Sequence, residues 1–418
     1  MPQRARVLIL LALLSIVTYL DRMAIAVVGP RMQDELGIGP EAWGWVVGAF
    51  SISYALFEIP TGRWGDLYGP RRTLTRIVLW WSAFTAFTGL ATNYWVLVAT
   101  RFLFGAGEAG AFPNAGVAIS RWFPLAERGR AMGVFYMSAQ GASALAPLLI
   151  VPLLQAFGWR MVFFVFGGIG LVWAAVWFWR FRDAPRDMPG ISPEEIATIG
   201  PPAPAAAHRM PWFALRHRNF LALSWAGSCY MFGLIFFISW LQTYLVRGKG
   251  FTEGQLIYSA LPPACGVVGN LCGGIFSDYA VRRWGKRWGR RSIALAGHAL
   301  GVAGLAAAIP ASDQNMVLAL LGISYFGITM QQTAIGTVLL ETAGRHVGAV
   351  GGALNMLGNL AGFLALVAYG YLVKFFGGNY NLALTPLVAM MALGAVGWFY
   401  CRADQIMEDE APIPQQAA

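Results

Sequence analysis

The sequence predicts an all-α polytopic membrane protein, with twelve transmembrane helices in two six-helix lobes. Three observations carry that expectation. Of its 418 residues, 57% are hydrophobic and only 12% charged, against roughly 25% charged in a soluble domain. Apolar runs of membrane-spanning length recur from end to end with short polar breaks, where a closed barrel would show alternation. One longer interruption, at 180–217, divides the runs six and six.

In order, the spans read 7–30, 43–61, 73–92, 94–119, 129–154, 159–179, 218–245, 254–276, 292–310, 315–340, 347–373 and 381–401. The opening "MPQRARVLILLALLSIVTYL" has a basic flank but no small-residue cleavage site. Its apolar stretch is too long for a signal-peptide core, so it predicts an uncleaved first span. Within the interruption, "ISPEEIATI" places Ser192, Pro193 and Glu195 as a capping-box start to a short surface helix. "PPAPAAAHRMP" reads as a flexible or extended linker. The expected organisation is a lobe over 1–179, a linker over 180–217, a lobe over 218–402 and a tail over 403–418.

Charge gives orientation. Of the 30 Lys and Arg residues, 23 fall in the segments on one side of the expected membrane and five in loops on the other. Basic excess marks the cytoplasmic side, so both termini and the linker are expected there. The net charge of +10 is then a topology signal, and nucleic acid drops out as a partner. Four cysteines (Cys229, Cys265, Cys272, Cys401) sit in apolar segments without a C-x-x-C pair, which predicts free packing residues and no metal site.

The halves echo each other. "GRWGDLYGPRR" carries Gly62, Asp66, Gly69, Arg71 and Arg72. "GGIFSDYAVRRWGKRWGRR" carries Gly274, Asp278, Arg282, Arg283, Arg290 and Arg291, and the two aspartates are 212 residues apart. That is half the chain, as a duplicated six-span unit predicts. Gly at a helix end followed by Asp and paired basics suits a charge clamp that closes and releases as two bundles rock. Gly62, Asp66, Arg71, Arg72, Asp278 and Arg128 are the candidate gate residues.

The loop at 62–72 and Arg101 in "RFLFGAG" resemble the two best-known signatures of the major facilitator superfamily. A closer resemblance, to the anion:cation symporter family, is carried by "YLDR" (19–22), "LFEIPTGRWGD" (56–66), "RFLFGAGEAGAFP" (101–113), "RWFPLAERGRA" (121–131), "FGWR" (157–160) and "FRDAPRD" (181–187). It covers essentially the whole chain. That family includes bacterial galactonate, glucarate and hexuronate carriers and the vesicular and lysosomal organic-anion transporters of animals. The resemblance implies the major facilitator fold, alternating access, a bacterial inner-membrane location and a monomer, and no cofactor.

Six ionisable residues fall near mid-membrane: Asp21, Arg22, Glu58, Arg101, Glu108 and His298. A charge at the bilayer centre costs roughly 2.5–3.5 kcal/mol on insertion scales, so each is a functional candidate. Arg101 and Glu108, seven apart, share a helix face; Tyr54 and Glu58 are four apart; Asp21 points about 100° away from Arg22. Facing one cavity, two guanidinium groups cannot neutralise three carboxylates, so one acid is a candidate proton carrier. An anion competing for an arginine would free its carboxylate partner to take up a proton. The family resemblance assigns Arg22 to the substrate's carboxylate and Asp21 and Glu108 to protonation. It matches Tyr19, Tyr54, Arg101 and Gln140 to positions that line or support the cavity.

Glu58 departs from the family, where Gln is expected. It is carried as a third proton-coupling candidate, with a holding role for Arg22 or Arg101, a neutral buried form or a substrate preference also open. Asn355 and Asn359, four apart on span eleven, are candidates for substrate hydroxyls. His298 is expected to be a packed polar residue. Trp240 and Tyr244 are open between stacking on substrate and anchoring at the interface, and Gln331 and Gln332 could reach the cavity.

The expected function is proton-coupled symport of a small organic anion, with aldonates, hexuronates or aldarates leading. Carriage of an aromatic or other carboxylate, or anion exchange, is the alternative. "GASALAPLL" (141–149) lacks the G-x-x-x-G-P-x-x-G-G run of many superfamily antiporters, which counts against exchange. No H-x-x-x-H, G-x-S-x-G or Walker A pattern is present, so an enzyme or an ATP-driven pump is not expected.

Overall fold

The computed structural model describes residues 2–200, 212–343 and 347–407. The expected linker tract at 201–211 and residues 408–418 of the expected tail lie outside them. The first half of the chain runs α1 (Gln3–Leu36), α2 (Pro40–Tyr68), α3 (Pro70–Gly89), α4 (Tyr94–Glu108), α5 (Ala111–Trp122), α6 (Leu125–Phe157) and α7 (Trp159–Arg180). A 3-10 turn (Pro185–Asp187) and two short helices, α8 (Pro193–Ile199) and α9 (Trp212–Arg216), follow. The second half runs α10 (Arg218–Ser239), α11 (Leu241–Lys249), a 3-10 turn (Gly254–Ala260), α12 (Leu261–Ala308), α13 (Gln314–Thr342), α14 (Val347–Phe375) and α15 (Tyr380–Tyr400).

Eight helices among the described residues are long and apolar enough to cross a membrane. Large apolar side chains such as Val172, Trp179 and Phe399 are exposed on them, as a bilayer-covered surface requires. Expected boundaries change at three places, one of them in the span expected at 218–245, which divides at Trp240 into α10 and α11. The span expected at 94–119 is two helices, α4 and α5, broken where Gly110 takes φ 85°. A Cβ there would lie 2.4 Å from Thr61 Oγ1, so glycine is demanded twice over. Asn114 ties the break down, its Nδ2 donating to Gly110 O (2.6 Å) and Thr61 O (3.0 Å). Conversely, α12 holds most of the spans expected at 254–276 and 292–310, the first seven residues of the former being the 3-10 turn, and its chain reverses at Gly285 (φ 72°). Both arms pack on α13: Gly269 lies against Thr329, and Gly297 against Gly327.

The short helix α8 begins as its sequence predicts, with Ser192 Oγ accepting from Glu195 N at 3.2 Å. Glu195 does not complete the box. Its carboxylate instead accepts from Gln3 N (3.0 Å) and Arg4 N (2.8 Å), capping the free donors and positive dipole end of α1. Arg4 in turn pairs with Glu127 at 2.8 Å.

Packing within the first half sets α1 on α6, α3 on α7 and α2 on α4. Within the second, α12 packs on α13, and α10 on α14 and α15. The halves meet through α2 and α14, α6 and α12, and α1 and α11. At the end away from the N-terminus this junction is tight. A Cβ on Gly370 would sit 2.4 Å from Pro40 O. Arg247 pairs with Asp34, Arg31 with Glu253 (3.4 Å) and Lys374 with Glu41 (2.7 Å). Among the described residues, no ion pair joins the halves at the opposite end.

Candidate functional site: a caged arginine in the membrane interior

Midway along α1, Asp21 and Arg22 leave the helix in different directions. Arg22 points among four rings: its guanidinium carbon lies 4.9 Å from the Tyr54 ring centre, 5.1 Å from Phe50, 5.3 Å from Tyr19 and 5.9 Å from Phe112. Rings at this range attract a cation by their quadrupoles and displace its water. Arg22 also forms an ion pair with Glu108 through Nε and Nη2. Glu108, the last residue of α4, is fully buried, so the break at Gly110 fixes where its carboxylate ends. A buried pair of this kind tolerates loss of one partner badly, because the other is left as an uncompensated charge.

Asp21 is buried and does not pair with Arg22. It lies beside Trp81 and Thr85 of α3, and the polar side-chain atoms of all three are buried without a hydrogen-bond partner. Arg101, seven residues before Glu108, is also buried. Its guanidinium carbon sits 4.4 Å from the Phe104 ring centre and 5.5 Å from Phe50, near Glu108 and Asp21 but in an ion pair with neither among the described residues. Tyr19 and Gln140 are half-buried and Tyr54 is buried.

The mutual reach expected of three carboxylates and two arginines is therefore divided. Glu108 holds Arg22. Glu58 turns to the second half of the chain, where Asn355 Nδ2 donates to both carboxylate oxygens at 2.7 and 2.8 Å. Asn359 Nδ2 donates to Asn355 O at 3.0 Å. This polar contact between halves lies close to the cage, because Glu58 follows Tyr54 by one helical turn.

Elsewhere in the second half the polar residues pack. His298 Nδ1 meets Gln331 Oε1 at 3.0 Å, and Nε2 lies 3.4 Å from Ala392 O. Gln331 is fully buried in this contact, while Gln332 is half-buried. Trp240 and Tyr244 take neither expected role: both are buried, with Trp240 Nε1 donating to Leu366 O (3.3 Å) and Tyr244 Oη to Asn381 Oδ1 (3.0 Å). They follow the break between α10 and α11, which turns them into the junction of α11 with α14 and α15.

The candidate gate residues form contacts inside each half. Arg71 donates from its backbone N to Asp183 (2.9 Å) and from Nε to Phe178 O (2.8 Å). Arg128 donates to Ser120 O (2.7 Å) and Phe123 O (3.0 Å), closing the end of α5. Asp278 pairs with Arg290 at 2.8 Å, and Arg290 also grips Glu341 at 2.7 Å, tying both arms of α12 to α13. Gly62 approaches Pro113, and Arg72 is exposed. The Asp66 side chain lies outside what is described.

Phe50 and Phe112 complete the cage and escape sequence reading. The signal for Phe50 was its spacing: Phe50, Tyr54 and Glu58 recur every four residues, one stripe of α2. Phe112 follows a break that periodicity does not show. Trp81 and Thr85, also four apart, are the counterpart stripe on α3.

Charged groups caged in the interior of a multi-pass helical bundle mark a solute pathway of the kind membrane transporters carry. Residues 11–366 match the family model described as Major Facilitator Superfamily, and the chain belongs to that superfamily. A probable sulfoacetate transporter of Cupriavidus necator is 32% identical, over 94% of this chain and 92% of the relative. A D-galactonate transporter of Escherichia coli is 30% identical over 95% of each. A probable galactarate/D-glucarate transporter of E. coli K12 is 29% identical over 93% of this chain and 91% of the relative. Among solved structures, a bacterial homolog to the human lysosomal transporter Spinster, inward-facing and occupied, superposes with a TM-score of 0.78 at 21% identity. It covers 96% of this chain and 97% of that one, and shows the shared fold.

Proposed function

We propose that this chain is a proton-coupled symporter of a small organic anion, with sugar acids as the leading substrate class. The observation that carries the reading is Arg22, caged by Tyr19, Phe50, Tyr54 and Phe112 and neutralised by buried Glu108. An incoming carboxylate takes the bidentate guanidinium face. Glu108 then loses its counter-charge and takes up a proton, so binding and protonation are linked without further machinery. Asp21, isolated among Trp81 and Thr85, is the second protonation site, and Arg101 holds the field between the two acids. The relatives named for D-galactonate, galactarate/D-glucarate and sulfoacetate support a small anion.

In this reading the eight candidate spans become twelve with α2, α3, the α4–α5 pair and the second arm of α12, and they divide into two six-helix lobes. Transport proceeds by alternating access. The ion pairs of Arg31, Arg247 and Lys374 close the face away from the termini, while the Arg71, Arg128 and Asp278 contacts keep each lobe rigid at the other. The protein works as a monomer in a bacterial inner membrane, both termini cytoplasmic.

The test uses purified protein in liposomes with a trapped pH dye. Adding D-galactonate, D-glucuronate, D-glucarate or an aromatic carboxylate is expected to acidify the lumen for one class, and Arg22→Ala to abolish it. Exchange of a preloaded labelled anion without acidification would replace symport with antiport.

A further inference from the structure

We propose that Glu58 and Asn355 form a subsite for the end of the substrate remote from Arg22. It selects anions whose far end carries hydroxyl or ammonium donors and rejects anions charged at both ends. The inference rests on the anion reading above and narrows its substrate class.

The spacing comes from α2. Tyr54 touches the Arg22 guanidinium, and Glu58 stands four residues further along the same face, about 6 Å along the axis. That is the span of a short organic acid between its carboxylate and its far hydroxyls. Tyr136, half exposed, borders the same space, close to both Tyr19 and Glu58. Unlike Glu108, which is sealed, Glu58 is only half-buried and Asn355 is exposed, so both are reachable by a ligand.

Chemistry sets the preference. A carboxylate accepts and does not donate, and has lone pairs for about four donors. The Asn355 amide uses one on each oxygen, at 2.7 and 2.8 Å, so ligand hydroxyls or an ammonium can join or replace it. No cation is in an ion pair with Glu58 among the described residues; its partner is a neutral amide. A second anionic group there would meet an uncompensated like charge, with Arg22 already committed to the head group. If joining the two halves were the whole task, a glutamine would do it with no charge inside the membrane.

The experiment measures binding to the purified full-length protein in detergent by titration calorimetry. D-Galactonate and D-glucuronate are the singly charged probes, D-glucarate and sulfoacetate the doubly charged ones. Wild type is expected to hold at least one singly charged probe about tenfold or more tighter than either dianion. Glu58→Gln is expected to shrink that ratio about tenfold by gaining dianion affinity. Asn355→Ala, which removes the contact but keeps the charge, is expected to retain the preference. Equal or tighter binding of the dianions by wild type, or an unchanged ratio in Glu58→Gln, would overturn the proposal. A uniform shift of all four affinities in Glu58→Gln would make the pair a latch between halves, which also overturns it. Failure of wild type to bind any probe would sink the organic-anion reading and this inference with it.

Discussion

At the scale of single residues, the proposed mechanism is a contest for one guanidinium. Glu108 holds it in the structure because both groups are deep in the helix bundle and each is the other's cheapest neutraliser. Arg22→Lys keeps the charge but loses the planar fork. It is expected to weaken substrate affinity at least about tenfold, as measured by titration, with Glu108 still paired. Glu108→Gln is expected to leave some binding but abolish proton accumulation in the dye-loaded liposomes. Undiminished uphill uptake by that variant would make Glu108 structural. The residues at the centre of this contest were legible in the sequence, since charges inside apolar spans have no bland reason to be there. The pairing was not. Adjacent Asp21 and Arg22 invite a local ion pair, yet helical geometry sends them to different helices, and only the tertiary fold shows that Arg22 finds Glu108 while Asp21 finds Trp81 and Thr85.

At the scale of elements, punctuation decides where side chains end up. Gly110 breaks a span that hydropathy reads as continuous, because apolarity reports burial in lipid and says nothing of φ. Gly110→Ala would force φ 85° on a residue with a Cβ and drive that atom into Thr61, costing about 1–2 kcal/mol in conformation alone. The expected result is a lower melting temperature together with weakened anion binding, since Glu108 sits two residues away. Lost stability with unaltered binding would show that the break does not position Glu108. The start of α8 was legible because a capping box is local. Its glutamate was read wrongly for the opposite reason: Glu195 reaches α1, 191 residues away, and no local pattern encodes that. Glu195→Ala is expected to cost about 1 kcal/mol, read as earlier melting with binding intact.

For the whole molecule, the contacts between halves are lopsided. Three ion pairs and the close approach of Gly370 to Pro40 gather at one end. Exposed pairs contribute about 0–1 kcal/mol each, enough to bias two arrangements of similar energy by several-fold but not to lock one. Asp34→Asn combined with Glu253→Gln is therefore expected to speed labelling of a cysteine introduced at Val246, which lines the same seam, by a factor of several. An unchanged labelling rate would show that packing, not charge, holds this end shut. Paired Gly-x-x-x-Asp motifs predict an internal duplication, but the partners of Asp278 and Arg71 were not legible in them. Each binds within its own half, which hydropathy and spacing along one chain do not distinguish from contact across.

Pairing Arg22 with Glu108 also sets how the site answers to voltage. A lone arginine carried through the full membrane field would feel about 2.3 kcal/mol per 100 mV. With its charge cancelled by Glu108, the pair offers a dipole and no net charge. Membrane potential then has little hold on this pair. In the proposed cycle its force would fall on the charges the pair does not cancel: Glu58, whose partner is a neutral amide, and any unequal number of protons and anions aboard.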